Sequence, residues 1–158
     1  MNDFSFLSPT RLIVGKNAEA QVGQWVRQYG GTRVLVHYGG GHVKQCGLLD
    51  TVIGSLKEAG AVVFELGGVV PNPNLSLVRE GIELCRREKI NFLLAVGGGS
   101  VIDSCKAIGM GVPYDGDVWD FFAENDGIPL AVPQARIPVG VVLTIAAAGS
   151  EASNSCVI

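Results

Sequence analysis

The sequence carries no excess of positive charge. Twelve lysines and arginines stand against fifteen aspartates and glutamates, a net charge of −3, so nucleic-acid binding has no electrostatic support. Only two histidines occur, His37 and His42, close together and without supporting acids, which argues against a metal site built on them. The four cysteines, Cys46, Cys85, Cys105 and Cys156, form no C-x-x-C pair and none has zinc-finger spacing. Reduced thiols in a cytoplasmic protein are the simplest expectation. No apolar run is long enough to span a bilayer, so no membrane partner is expected. Met1 to Phe4 lack the basic start and apolar core of an export signal. No serine stands in a nucleophile-elbow context, which leaves a catalytic triad unsupported. Trp25, Trp119, Phe121 and Phe122 read as packing residues.

What is present is apolar and rich in glycine. Apolar residues make up 47% of the chain and charged ones 17%, a globular composition rather than a disordered one. Its 158 residues suffice for one domain with a proper core. Strands are expected at 34–36, 61–66, 90–96 and 138–145, and two short ones around Ser8-Pro9-Thr10 within Phe4 to Val14. Helices are expected over 18–29 (with Asn17 as cap), 48–59, 75–89 (with Asn74 as cap) and 101–110, and a short one over 119–123. Strand, helix, strand, helix at this spacing predicts an α/β fold with a parallel sheet and helices on both faces. The continuous apolar strands agree, since both sides of such a sheet are covered.

Ligands of such folds sit beyond the carboxyl ends of the strands. Three small-residue loops lie there. In the first, the strand 90–96 runs into Gly97-Gly98-Gly99-Ser100 and then at once into a helix. Glycines let backbone approach a phosphate closely, and the helix start adds free N–H groups and the positive end of a dipole. The alternative is a tight turn that needs glycine for geometry alone. Neither G-x-G-x-x-G nor G-x-x-x-x-G-K-[ST] is present here, so the loop suggests phosphate binding without naming a cofactor class. Asp103 and Lys106 lie one helical turn apart, either as a surface ion pair or with Asp103 turned to a ribose or amide.

The second loop is Gly39-Gly40-Gly41-His42-Val43-Lys44. An acid at such a strand end would accept from ribose hydroxyls and favour NAD, and Gly39 supplies none. His42 and Lys44 could instead meet a 2′-phosphate, or the stretch could be a glycine turn with a solvated lysine. Glu65, near the end of the next strand, is a rival for the ribose acid. The third loop runs from Thr144 to Glu151. There Thr144 and Ser150 could bond a nucleotide, or Ser150-Glu151 could simply cap a helix.

Together these pieces resemble the nucleotide-binding half of the iron-containing (group III) alcohol dehydrogenase family over essentially the whole chain. The stretches that carry the likeness are Pro9 to Lys16, Tyr38 to Gly41, Pro71-Asn72-Pro73, Leu94 to Asp103, Leu143-Thr144 and Gly149-Ser150-Glu151. Within the family the chain is most similar to the butanol dehydrogenase and broad aldehyde reductase branch, which generally uses NADP(H). The resemblance implies a Rossmann-like nucleotide-binding domain over 1–158. Gly97, Gly98, Gly99 and Ser100 would wrap the pyrophosphate, and Asp103 would lie near the nicotinamide. Thr144, Ser150 and the turn between them would contact the nucleotide. Gly39, Gly40 and Lys44 would accommodate the 2′-phosphate. It implies hydride transfer between a small primary alcohol or aldehyde and the nicotinamide, a divalent iron or zinc as Lewis acid, and a homodimer built through Phe4 to Val14.

The chain departs from the family pattern in three ways. Ala146 and Ala148 replace a proline and a threonine of the last motif, and His42 replaces a serine common in the branch. The family's metal ligands, an aspartate and three histidines in a C-terminal helical domain, have no counterpart. Together with the apolar Cys156-Val157-Ile158 end, this leads to the expectation of a fragment of a longer two-domain enzyme, inactive alone. The alternatives are a free-standing nucleotide-binding or regulatory module, and an NAD-using relative of dehydroquinate synthase or glycerol dehydrogenase.

Overall fold

The computed structural model describes residues 9–125 and 128–158. Its elements are β1 (Arg33–Tyr38), β2 (Val62–Leu66), β3 (Phe92–Gly97), β4 (Glu124–Asn125), β5 (Ile128–Pro129) and β6 (Val139–Leu143), with helices α1 (Val22–Gln28), α2 (His42–Gln45), α3 (Leu48–Glu58), α4 (Leu75–Arg87) and α5 (Gly99–Gly111). Four strands form one parallel sheet in the order β2-β1-β3-β6. The chain leaves β1 for β2 on one side and returns to β3 on the other. The strand order therefore reverses between β1 and β3, the point where open α/β sheets leave a crevice for ligands.

Alternation along the strands explains how both faces are covered. Leu35, Leu93 and Ala95 join Val78, Ile82, Ile102 and Ile108 in one buried cluster under α4 and α5. Their neighbours Val34, Val36, Phe92, Leu94 and Val96 join Val26, Leu49, Val52 and Leu56 in a second cluster under α1 and α3. Successive strand residues point to opposite faces, so fully apolar strands build two cores at once. The expected strand and helix frame stands. Phe121 and Phe122 pack against the first core, and Trp25 lies under the Arg11 guanidinium, 5.1 Å from the ring centroid.

Several local expectations are corrected. The first of the two short N-terminal strands falls outside the described residues, and 9–14 form no strand. Asn17 precedes the first helix but has φ 58° and makes no side-chain cap; a 3-10 turn, Ala18–Gln21, comes before α1. Asn74 does cap α4, its side chain accepting from the Ser76 N–H at 3.1 Å, an interaction typically worth about 1 kcal/mol. The short helix near 119–123 is a 3-10 turn, Val118–Phe121. No helix follows Ser150, so Ser150-Glu151 is not a helix cap. Among the described residues no helix is long and apolar enough to cross a membrane.

His37 ties three elements together. It is fully buried and lies on the α5 side of β1. Its Nδ1 meets the Leu66 carbonyl at 2.6 Å and its Nε2 meets the Ser104 hydroxyl at 2.8 Å. A carbonyl only accepts, so Nδ1 carries the proton and Nε2 accepts from Ser104. Burial lowers the His37 pKa from 6.5 to about 4, against a smaller opposing effect of the Leu66 bond. Above pH 6.5 the folded and unfolded chains are both neutral at this position. Between pH 6.5 and 4 the unfolded chain takes up a proton that the fold refuses, so stability falls as pH falls, and the loss is complete below 4. Between pH 7.5 and 5 this removes about 2 kcal/mol of unfolding free energy. Urea unfolding at the two pH values checks it: His37→Asn should be less stable at pH 7.5 and lack this decrement.

Candidate functional site

The crevice is built from backbone. β3 ends at Gly97, Gly98 stands in an extended conformation before α5, and Gly99 and Ser100 open that helix. The first N–H groups of a helix have no acceptor within it, so this end offers donors and the positive end of the dipole. There is no room here for side chains. A Cβ on Gly97 would stand 2.5 Å from Cγ2 of Val101, and one on Gly98 2.7 Å from Cγ2 of Ile145. Val101 also borders the first loop, 3.7 Å from where a Gly39 Cβ would be. The turns after β1 and β3 thus share one packing residue.

The third loop closes the other side. The Thr144 N–H donates to the Gly97 carbonyl at 3.1 Å, and Ser150 Oγ lies 3.5 Å from the Cβ position of Gly99. The structure therefore brings Gly39, Gly97, Gly98, Gly99, Ser100, Thr144 and Ser150 to one end of the sheet. Ser100 Oγ also accepts from the Asn72 N–H at 3.3 Å, which links the Pro71–Pro73 turn to it.

Asp103 and Lys106 do not pair with each other. Asp103 Oδ2 accepts from the Val157 N–H at 3.4 Å, while Oδ1 is buried without a hydrogen-bond partner. Lys106 Nζ donates to the carbonyls of Ser153 and Ser155. The surface ion-pair reading is thus replaced by two anchors for the segment 153–157.

Around the end of β1, a cavity of about 300 Å³ is lined by Tyr38, Gly39, Gly40, Gly41, Lys44, Gly67 and Gly68. Lys44 is exposed, with its ammonium 5.0 Å from the Tyr38 ring centroid. Hydrogen bonding with the Tyr38 phenol, then its charge, raises the Lys44 pKa, so the side chain stays cationic. His42 lines a different cavity of about 590 Å³, with Glu19, Val43, Cys46, Leu48 and residues 142–145. His42 and Lys44 thus face different cavities. Glu65 accepts from the Tyr38 hydroxyl at 3.3 Å, and Tyr38 itself lines the first cavity. Sequence reasoning overlooked Gly67, Gly68 and Ile145. The Gly67-Gly68 pair after β2 was a visible signal, since it is another glycine turn at a strand's carboxyl end.

The residues fit a dinucleotide: the cradle at Gly97 and Gly98 is space that a Cβ would fill, and Asp103 keeps an unpartnered buried oxygen. They do not fit a metal. Among the described residues no three His, Cys, Asp or Glu side chains lie together to hold one.

The fold and this crevice define a Rossmann-like α/β domain with a glycine-lined binding end. The profile of the family described as iron-containing alcohol dehydrogenase matches residues 9–158, and the chain belongs to that family. It is 51% identical over its whole length to the probable NADH-dependent butanol dehydrogenase 2 of Bacillus subtilis. It is 40% identical to the NADPH-dependent aldehyde reductase YqhD of Escherichia coli. The chain spans 39% of the length of each of these relatives. The crystal structure of NADH-dependent butanol dehydrogenase A from Thermotoga maritima superposes with a TM-score of 0.86 at 41% identity, covering 93% of this chain and 36% of that one.

Gly97→Ala should lower stability by roughly 1–3 kcal/mol, because Val101 has to move within a packed core. Urea unfolding of the variant against the unsubstituted chain measures it. An unchanged midpoint would mean the turn tolerates a side chain.

Proposed function

We propose that this chain is the NADP(H)-binding domain of a metal-dependent alcohol dehydrogenase or aldehyde reductase. The reaction of the longer protein is reversible hydride transfer between a small primary alcohol or aldehyde and a nicotinamide. The observation that carries the reading is the meeting of two side-chain-free turns at the strand-order reversal, one opening a helix and one flanked by the Lys44 cation.

Bound there, the nicotinamide supplies the hydride chemistry. The chain's own residues bind and orient it. The backbone at Gly97, Gly98 and Gly99, with Ser100, takes the pyrophosphate. Thr144 and Ser150 contact the nucleotide from the third loop. Asp103 Oδ1 offers an acceptor to the carboxamide. Gly39 and Gly40 leave space, and Lys44 charge, for a 2′-phosphate. The iron or zinc is assigned to sequence that the relatives carry beyond this length, so the chain alone is expected to bind dinucleotide without turning over alcohol. A homodimer through the N-terminal segment is supported by the exposure of Leu12 and Val14. A cytoplasmic setting is supported by the four free thiols.

NADH is the second reading, favoured by the names of the Bacillus and Thermotoga relatives. Competition titrations of the chain with NADPH and NADH separate the two. The expected result is tighter NADPH binding. In Gly39→Asp the added carboxylate repels a 2′-phosphate and accepts from ribose hydroxyls, so the preference should shift toward NADH by about 10-fold or more. A Gly39 Cβ would stand 3.3 Å from the Val69 carbonyl, a tight contact that needs a shift of a few tenths of an ångström, and 3.7 Å from Val101 Cγ2. Tighter NADH binding by the unsubstituted chain would overturn the NADP(H) assignment.

A further inference from the structure

The segment after Gly149 has no helix or strand of its own and is largely exposed, yet it lies along one face of α5. Gly99, Asp103 and Lys106 share that face, spaced one turn apart. Lys106 holds the segment most firmly. Its ammonium donates to the Ser153 carbonyl at 2.9 Å and the Ser155 carbonyl at 2.7 Å, and reaches Ser153 Oγ at 3.5 Å. These are charge-assisted bonds, shorter and stronger than neutral ones. Ser153 Oγ in turn accepts from the Ser155 N–H at 3.1 Å. Asp103 fastens the far end through the Val157 N–H, and Ile158 packs against the core beyond. Upstream, the Ala152 N–H donates to the Gly149 carbonyl at 3.0 Å and the Ser153 N–H to the Ser150 carbonyl at 3.4 Å. The turn that carries Ser150 is therefore closed by the residue that Lys106 grips.

We propose that Lys106 is a positioning residue for the dinucleotide site. It does not touch the ligand. By tying the Ser153 and Ser155 carbonyls to α5 it fixes the Gly149–Ser153 turn, and so holds Ser150 beside Gly99 at the mouth of the cradle. The same tie keeps the Val157 N–H on Asp103 Oδ2, leaving Oδ1 as the carboxylate's unpartnered, buried oxygen. This inference rests on the dinucleotide reading above.

The test compares Lys106→Met and Lys106→Arg in the 158-residue chain, with two readouts: amide hydrogen exchange at Ser153, Ser155 and Val157, and NADPH affinity by titration. In Lys106→Met, exchange at these amides should rise and NADPH binding should weaken by about 10-fold, while the arginine variant, which keeps a charged donor, recovers most of the affinity. Ser150→Ala should weaken binding in the unsubstituted chain but add nothing in the Lys106→Met background, since a turn already released has no position to lose. A merely structural lysine would lower the unfolding midpoint and leave NADPH affinity unchanged; that result, or additive effects of the two substitutions, overturns the proposal. Failure of the unsubstituted chain to bind NADPH at all, with its amides still protected, would instead remove the dinucleotide reading and this inference with it.

Discussion

The packing of Val101 between the ends of β1 and β3 is the constraint on which the rest of this structure depends. Its side chain occupies the space that a Cβ on Gly97 would need and borders the Cβ position of Gly39. Helix α5 can therefore begin almost at the tip of β3, with its first N–H groups at the strand-order reversal rather than several residues beyond it. A larger residue at Gly97 would press on Val101 and so on α5, and α5 also carries Ser104 against His37 and Lys106 against the C-terminal segment. The binding end and the core thus share one contact, which is how a parallel sheet places bare backbone next to solvent without losing its packing.

The chemistry of the crevice follows from what it leaves out. The end of β1 carries no carboxylate, and the carboxylate that follows in β2, Glu65, is engaged by the Tyr38 hydroxyl. Lys44 remains cationic at the cavity rim. A cation near a glycine turn is one way a crevice can meet an anion. No set of three metal-ligating side chains lies together among the described residues, and the chain spans only 39% of the length of relatives such as the Bacillus subtilis protein.

Much of this was legible in the sequence because the signals are local. Uninterrupted apolar strands such as Val34-Leu35-Val36 and 92–96 announce a covered parallel sheet, Asn74 before an amphipathic run announces a helix start, and three glycines after a strand announce a backbone site. What was not legible depends on distant partners. Asn17 looks like a cap, but its backbone turns left-handed and its side chain bonds nothing in the helix. Asp103 and Lys106 look like an ion pair, but the carbonyls of Ser153 and Ser155 and the Val157 N–H, some fifty residues on, compete for them and win. His42 and Lys44 are two residues apart, yet α2 sends them to different cavities. A sequence fixes spacing along the chain; it does not reveal which backbone atoms return to meet a side chain.

The most direct test of the central claim is an amide NMR titration of the isotopically labelled 158-residue chain with NADPH. The account predicts saturable shifts centred on the amides of Gly98, Gly99 and Ser100, with a second group at Gly39 to Lys44 and a third at Thr144 and Ser150. Shifts confined to other surfaces, or no saturable shift at the Gly97–Ser100 turn, would contradict it.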